Sequence, residues 1–385
     1  MQNPASKIVF VVRLSAIGDT LIAAKTILNL IASGYIPVFC THQNCTDVVL
    51  SIPGLRYCAL SNEKHEIAFY QIVKQSNEQM LLEPTTSKVL LDSVNSTSLT
   101  ALDLQNTRRS KRFLRILKNI IKPARIETHT VHKRSLYRIC LVAKSFFSRT
   151  QHARNTNNAS GSLYILPQTI RRIANLNHSA TRQAIGTEIQ KTTTHIVPKS
   201  PRPELLLELL PQNFHNKNYV LICPGASLPL KSWGDENFAK LCLIISQQTD
   251  ANIIIIGGKE ELEMGNTIIQ NIPVHRAVNL AGKLALGDSL TLLSKAQYVV
   301  SGDSFPGHAC DLLGVPATIL FGATSPHFGF TPEATNIRIR WLNLSCSPCT
   351  RHGRGKCRFK NRACLTNIKP EDVANDILDS LKKLP

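Results

Sequence analysis

The sequence predicts an α/β protein made of two doubly wound parallel sheets in tandem, and three observations carry that expectation. Short apolar, β-branched runs alternate with stretches of helical spacing near the N-terminus, and the same alternation restarts after residue 200. Between the two lies a polar stretch ending in a proline-containing linker signal. A chain of 385 residues also exceeds one core of ordinary size, so two domains are expected, residues 1–200 and 201–385.

The elements follow in order. KIVFVVRL (7–14) has the continuous apolar character of a strand buried on both faces. SAIGD follows it, and TLIAAKTILNLIASG then repeats apolar residues at helical spacing and ends at Gly34. YIPVFC completes a βαβ unit, and KVLLD (88–92) and LTALDL (99–104) read as further strands. Residues 151–200, rich in Asn, Ser, Thr and Gln, run into VPKSPRPE. In the second half NYVLICPGA, ANIIIIGG, QYVVSGD and ATILFGA read as strands. ENFAKLCLIISQQT, KEELEMGNTIIQ, GDSLTLLSKA and HACDLLG read as helices. EDVANDILDSLKKL closes as an amphipathic helix whose lysines sit near its C-terminus, where the helix dipole favours cations.

The formal charge of +19 implies an anionic partner, because such a field concentrates phosphate-bearing molecules at the surface. Fourteen Lys and Arg fall between residues 108 and 154 against one acid, Glu127. A solvated face usually mixes signs, so this block reads as an anion-binding surface. Aromatic residues make up 6% of the chain and are not interleaved with arginine, which disfavours a single-stranded nucleic-acid binder. The N-terminal apolar stretch is short and broken by Arg13, unlike a signal peptide, and no apolar run reaches the roughly 18 residues of a membrane helix. A cytoplasmic protein, with peripheral attachment to a membrane surface, is expected. Eleven cysteines without a signal sequence read as thiols or metal ligands rather than a disulfide framework.

Ligands of doubly wound sheets bind outside the carboxyl ends of the strands, so the strand-end turns carry the functional reading. In VVSGDSFPGH an apolar strand runs into Asp303, Ser304, Gly307 and His308 before a helix begins, which suits an anion such as a diphosphate. Ordinary capping by Asp303 is compatible with that. PGASLPLKSW offers Ser227 and Lys231 for the same group; otherwise Lys231 is an exposed lysine before a helix. After GGKEELE's glycines, Glu260 or Glu261 could accept from ribose hydroxyls, although acids in a helix's first turn need no function. In SAIGD, Asp19 either caps a helix or serves as a base for an acceptor hydroxyl. CSPCTRHGRGKCRFKNRAC spaces Cys346, Cys349, Cys357 and Cys364 as a thiolate set for structural zinc; unligated thiols are the other reading.

Taken together, RLSAIGD, DLQNTRRS (103–110), PGASLPLKSW, NLAGKLALGDSLTLLSKAQYVVSGDS, GHACDLLGVPATILFGATSP and CSPC…C…C…IKPEDV resemble glycosyltransferase family 9, the ADP-heptose:lipopolysaccharide heptosyltransferases. The resemblance runs in order through nearly the whole chain and is weakest over 151–200. It implies a GT-B fold of two Rossmann-like domains, acceptor-binding first and nucleotide-sugar-binding second, and an inverting transfer that needs no catalytic cofactor. Carried over residue by residue, Asp19 is the candidate base and Lys231 the diphosphate lysine, with Ser227 near the phosphates. Glu261 is the nucleoside acid, and Asp303, Ser304, Gly307 and His308 form the donor turn. Arg109, Ser110 and Arg134 fall to the acceptor side. The implied partners are an ADP-sugar donor, a phosphorylated lipid A and inner-core acceptor, and an anionic membrane surface, with no nucleic acid. Phe305 stands where the family usually has glycine. A different nucleotide sugar or acceptor, a nucleotide-sugar epimerase, and a binding protein without turnover remain open beside this reading.

Overall fold

The computed structural model describes residues 8–75, 79–92, 98–121, 125–130, 181–182, 185, 190–214, 218–328, 331–332, 334–350 and 352–382. It divides into two compact units; among the described residues the first holds 8–130 and those between 181 and 199, and the second holds 200–382.

The first unit is laid out as β1 (Ile8–Val12), α1 (Ile17–Ala32), β2 (Ile36–His42), α2 (Thr46–Leu50), β3 (Tyr57–Ser61), β4 (Ile67–Lys74) and β5 (Met80–Thr85). It continues with α3 (Ser87–Asp92), β6 (Ser98–Asp103), α4 (Arg108–Ile120) and β7 (Arg125–Thr130). Its sheet runs β5-β4-β3-β2-β1-β6-β7. The β3–β4 and β4–β5 pairs are antiparallel and the rest parallel. All five residues of β1 and all seven of β2 are buried, which is why β1 reads as an unbroken apolar run and β2 as one up to Cys40. Phe10, Val12, Val38 and Ala101 pack with Phe113, Leu114 and Leu117 of α4.

α4 shows how the basic block folds. Thr107 caps it, its hydroxyl accepting from Ser110 N–H while Thr107 N–H donates to Ser110 Oγ at 2.9 Å. Its apolar stripe turns inward and Lys111, Arg112, Arg115 and Lys118 turn to solvent. KVLLD, expected as a strand, is instead the helix α3. The overlooked signal is Thr86, whose hydroxyl accepts from Val89 N–H and whose carbonyl accepts from Leu90 N–H, starting a turn.

The second unit contains α5 (Pro203–Leu209), β8 (Tyr219–Cys223), α6 (Asp235–Gln248), β9 (Asn252–Ile255), α7 (Leu262–Ile269), β10 (Ala277–Asn279) and α8 (Leu286–Lys295). β11 (Tyr298–Gly302), α9 (Phe305–Leu313), β12 (Ala317–Leu320), β13 (Ile337–Arg340), α10 (Ala363–Thr366) and α11 (Pro370–Leu381) complete it. The sheet is wholly parallel, in the order β10-β9-β8-β11-β12-β13. By position along the chain this is 3-2-1-4-5-6, the doubly wound order of dinucleotide-binding sheets. Its core packs Val220, Ile222, Ile253, Ile255 and Val300 against Trp233, Phe238, Leu241 and Ile245 on one side of the chain and Leu365, Val373 and Ile377 further on. Gly314, at φ +69°, ends α9 in the left-handed conformation that glycine adopts without cost.

Among the described residues no helix is long and apolar enough to cross a membrane.

Candidate active site

In the second unit β8 and β11 lie side by side while the chain winds away from them in opposite directions, so the topological switch point falls between them. The turn after β8 climbs through Gly225 and the exposed Ser227 into a 3₁₀ turn, Pro229–Lys231. The turn after β11 carries Asp303 and Ser304. These two turns meet: Lys231 Nζ lies 2.8 Å from Asp303 Oδ2 and donates to the Asp303 carbonyl at 3.0 Å. Both side chains are mostly shielded, at 16% and 15% exposure, so their attraction is screened less than that of a surface pair.

A third turn joins them. Thr324, after β12, donates its hydroxyl to Asp303 Oδ2 at 2.8 Å, and fixes which way the carboxylate faces. Thr324 was not singled out in the sequence; its signal was present, since GATSP follows a buried strand just as PGAS and GDS do. Ser304 is the N-cap residue of α9 without a side-chain cap bond, its hydroxyl lying 3.1 Å from Ser301 Oγ. His308 is half-buried one turn into α9. Gly307 is buried, and a Cβ there would stand 2.9 Å from Ile319 Cδ1, so its bareness lets α9 sit close on β12.

The turn after β9 brings Glu261 to the same edge. Glu261 Oε2 accepts from Gly258 N–H at 2.6 Å, and a Cβ on Gly225 would lie 3.0 Å from Glu261 Cδ. Glycine at 225 therefore makes room for the carboxylate beside the first strand's turn. Four strand-end turns thus present the ammonium of Lys231, the carboxylates of Asp303 and Glu261, and the hydroxyls of Ser227, Ser304 and Thr324 along one edge of the sheet.

The first unit repeats the logic at its own switch point, between β1 and β6. Asp19 lies in the first turn of α1, where the N-cap residue is Ala16, so it does not cap the helix. Its Oδ2 is ion-paired with Arg13 Nη2. Arg13 is buried and donates from Nη1 to the Leu104 carbonyl at 2.6 Å, anchoring the pair to the end of β6. The neighbouring guanidinium and the helix N-terminus orient the Asp19 carboxylate. The sequence hid Arg13 because it sits inside an apolar run.

Of the expected acceptor residues, Ser110 is fully buried and donates to Asp103 Oδ2 at 2.8 Å, which commits it to the α4 cap. Arg109 sits beside His42 at the end of β2; burial first, then the Arg109 charge, lowers the His42 pKa. Arg134 lies outside the described residues.

The zinc expectation is not supported. Among the described residues no three His, Cys, Asp or Glu side chains gather in a metal-holding arrangement. Cys364 is buried in α10, where burial, then the nearby Cys346, Cys349 and Cys357, push its thiol up to about 11. Cys357 goes the other way, lowered chiefly by the Arg362 N–H, then by those of Phe359, Lys360 and Asn361 against a smaller effect of burial.

Comparison with known proteins matches this geometry to a family. Residues 166–360 match the model of Glycosyltransferase family 9 (heptosyltransferase). A lipooligosaccharide heptosyltransferase 2 of Campylobacter jejuni is 29% identical over 172 residues, covering 44% of this chain and 52% of that protein. The chain thus spans about half the length of the curated relatives it matches. In fold it resembles a glycosyl transferase family 9 structure from Veillonella parvula, with a TM-score of 0.64 at 14% identity over 100% of this chain and 99% of that one. An E. coli ADP-heptose lps heptosyltransferase II gives a TM-score of 0.61 at 16% identity, covering 98% and 99%. The two parallel-rich sheets are accordingly those of the GT-B class, and the chain belongs to glycosyltransferase family 9.

Proposed function

We propose that the protein is a heptosyltransferase that moves a heptose from an ADP-sugar to a hydroxyl of a lipopolysaccharide inner-core acceptor, with inversion at the anomeric carbon. The observation that carries this reading is the Lys231–Asp303–Thr324 constellation at the switch point of a parallel sheet, with Glu261 on the same edge. An ammonium there suits the diphosphate leaving group, on which charge grows as its bond to the sugar breaks. Glu261 is placed to accept from nucleoside hydroxyls, and Ser227, Ser304 and His308 add donors for phosphate oxygens. Asp19, held by Arg13, takes the proton from the attacking acceptor hydroxyl.

In this reading residues 1–200 form the acceptor domain and 201–385 the donor domain. The basic outer face of α4 serves the phosphorylated acceptor, and Arg109 and Arg134 are assigned to bind the same acceptor. Each basic residue near an anionic cytoplasmic leaflet adds about 1 kcal/mol of attraction, so the protein works peripherally on that surface. The curated relatives named lipooligosaccharide and lipopolysaccharide heptosyltransferases support the sugar and the acceptor class.

The test is Asp19→Asn assayed for heptose transfer and for ADP affinity. Loss of a general base costs about 10²- to 10⁴-fold in turnover, and ADP affinity should be unchanged. Turnover within a few-fold of the parent would remove Asp19 from the reaction.

A further inference from the structure

We propose that Arg362 and Gly353, in the cysteine-rich segment, are positioning residues that hold Lys231 in its working place; the inference rests on the reading of Lys231 as the diphosphate ligand. Lysine is an uneven choice for a fixed cation, because a long stem carries rotamer freedom that must be lost for the ammonium to stay put. Here the stem is held from outside its own turn.

Arg362 stands at φ +51° just before α10. Its Nη1 donates to the carbonyl of Pro229 at 3.0 Å and to that of Ser232 at 3.1 Å. Those two carbonyls bracket Lys231, so one guanidinium closes the turn on both sides. The next residue, Trp233, is fully buried and donates Nε1–H to the Ile368 carbonyl at 3.1 Å, so the turn is sewn to the same segment a second time.

Gly353 acts on the side chain itself. It lies at φ +89°, and a Cβ there would fall 2.9 Å from Lys231 Cγ and 3.3 Å from both Cδ and Cε. Bare backbone therefore lies against the alkyl stem where any side chain would push it aside. The same segment also reaches the other end of the pair: Cys349 and Thr350 N–H groups donate to the Ala323 carbonyl at 3.0 and 3.2 Å. Ala323 precedes Thr324, which orients Asp303. Backbone and side chain of the cysteine-rich segment thus touch the lysine, its turn and the support of its carboxylate partner. Glycine at 353 serves both its positive φ and its close approach to the stem.

The contacts predict a specific non-additivity. ADP affinity is measured by titration calorimetry on the full chain for Gly353→Ala, Arg362→Ala and Arg362→Lys, each in the parent and in a Lys231→Ala background, with thermal unfolding recorded for every variant. Loss of one charge-assisted contact weakens binding by about tenfold or somewhat more. Gly353→Ala and Arg362→Ala should each show that loss in the parent and no further loss once Lys231 is gone. Free guanidinium should restore affinity to Arg362→Ala only where Lys231 is present, which keeps the test open if Gly353→Ala fails to fold. Equal losses in both backgrounds would overturn the inference and leave these residues a general structural role. Unchanged affinity in Lys231→Ala alone would instead overturn the donor-site reading beneath it.

Discussion

At Lys231 the charge that would meet a diphosphate already has a partner. Its ammonium rests on Asp303, so a bound diphosphate must share it, and the carboxylate held by Thr324 keeps the cation in line meanwhile. Thr324→Val keeps the shape and removes the donor, leaving one oxygen of a mostly shielded carboxylate short of a hydrogen bond. The expected cost is about 1–3 kcal/mol, read as an ADP affinity about 5- to 160-fold weaker with little change in fold by circular dichroism. Cysteine reactivity separates along the same lines of environment. Burial pushes the thiols of Cys58 and Cys242 up to about 12, whereas backbone N–H groups lower Cys357. Iodoacetamide on the native protein should therefore label Cys357 and the exposed Cys349 well before Cys58 and Cys242, as peptide mass mapping would show.

Two elements are secured by ionic contacts that a periodicity reading passes over. β13 reads IRIR, charged at alternate positions, because Arg338 and Arg340 both reach Asp376 of α11. Asp376 is 2% exposed and also accepts from Thr318, which ties the last helix to the last two strands. Asp376→Ala would strand two guanidinium groups, a loss of about 3–5 kcal/mol measurable by urea unfolding. α8 carries in its first turn Asp288, which takes the Ala285 N–H at 3.0 Å and bonds to Ser200 and Arg202. Burial alone would raise its pKa; the hydrogen bonds from Ser200, Arg202 and Ala285, with the Arg202 charge, bring it below the ordinary carboxylate value. A depressed native pKa means fewer protons bound when folded, so its stabilisation is full above the unfolded value of about 4 and fades as pH falls through the native one. The stability gap between the parent and Asp288→Asn should accordingly shrink from pH 6 towards pH 3.

At the scale of the whole molecule, strands buried on both faces were legible because apolar residues dominate them and every position is buried. β1, β2, β8, β9, β11 and β12 all have this character. The antiparallel edge β4–β5 escaped notice because few of its residues are buried and it includes Pro84, as did β7, RIETHT, and the three-residue β10. The strand-end residues Lys231, Asp303 and Glu261 could be picked out because a doubly wound sheet says where a ligand must sit, and the structure does bring them to one edge. Thr324, Arg362 and Gly353 matter through contacts with residues far along the chain, and no local pattern marks such contacts.

A nucleoside-diphosphate site built around Lys231 is tested most directly by calorimetric titration of the full chain with ADP, UDP and GDP, repeated with Lys231→Ala. Selective binding of ADP is expected at micromolar dissociation constants, about −8 kcal/mol in free energy, weakened at least tenfold by the substitution. Binding of UDP or GDP in preference to ADP would contradict the ADP-heptose assignment, and ADP binding untouched by Lys231→Ala would contradict the site itself.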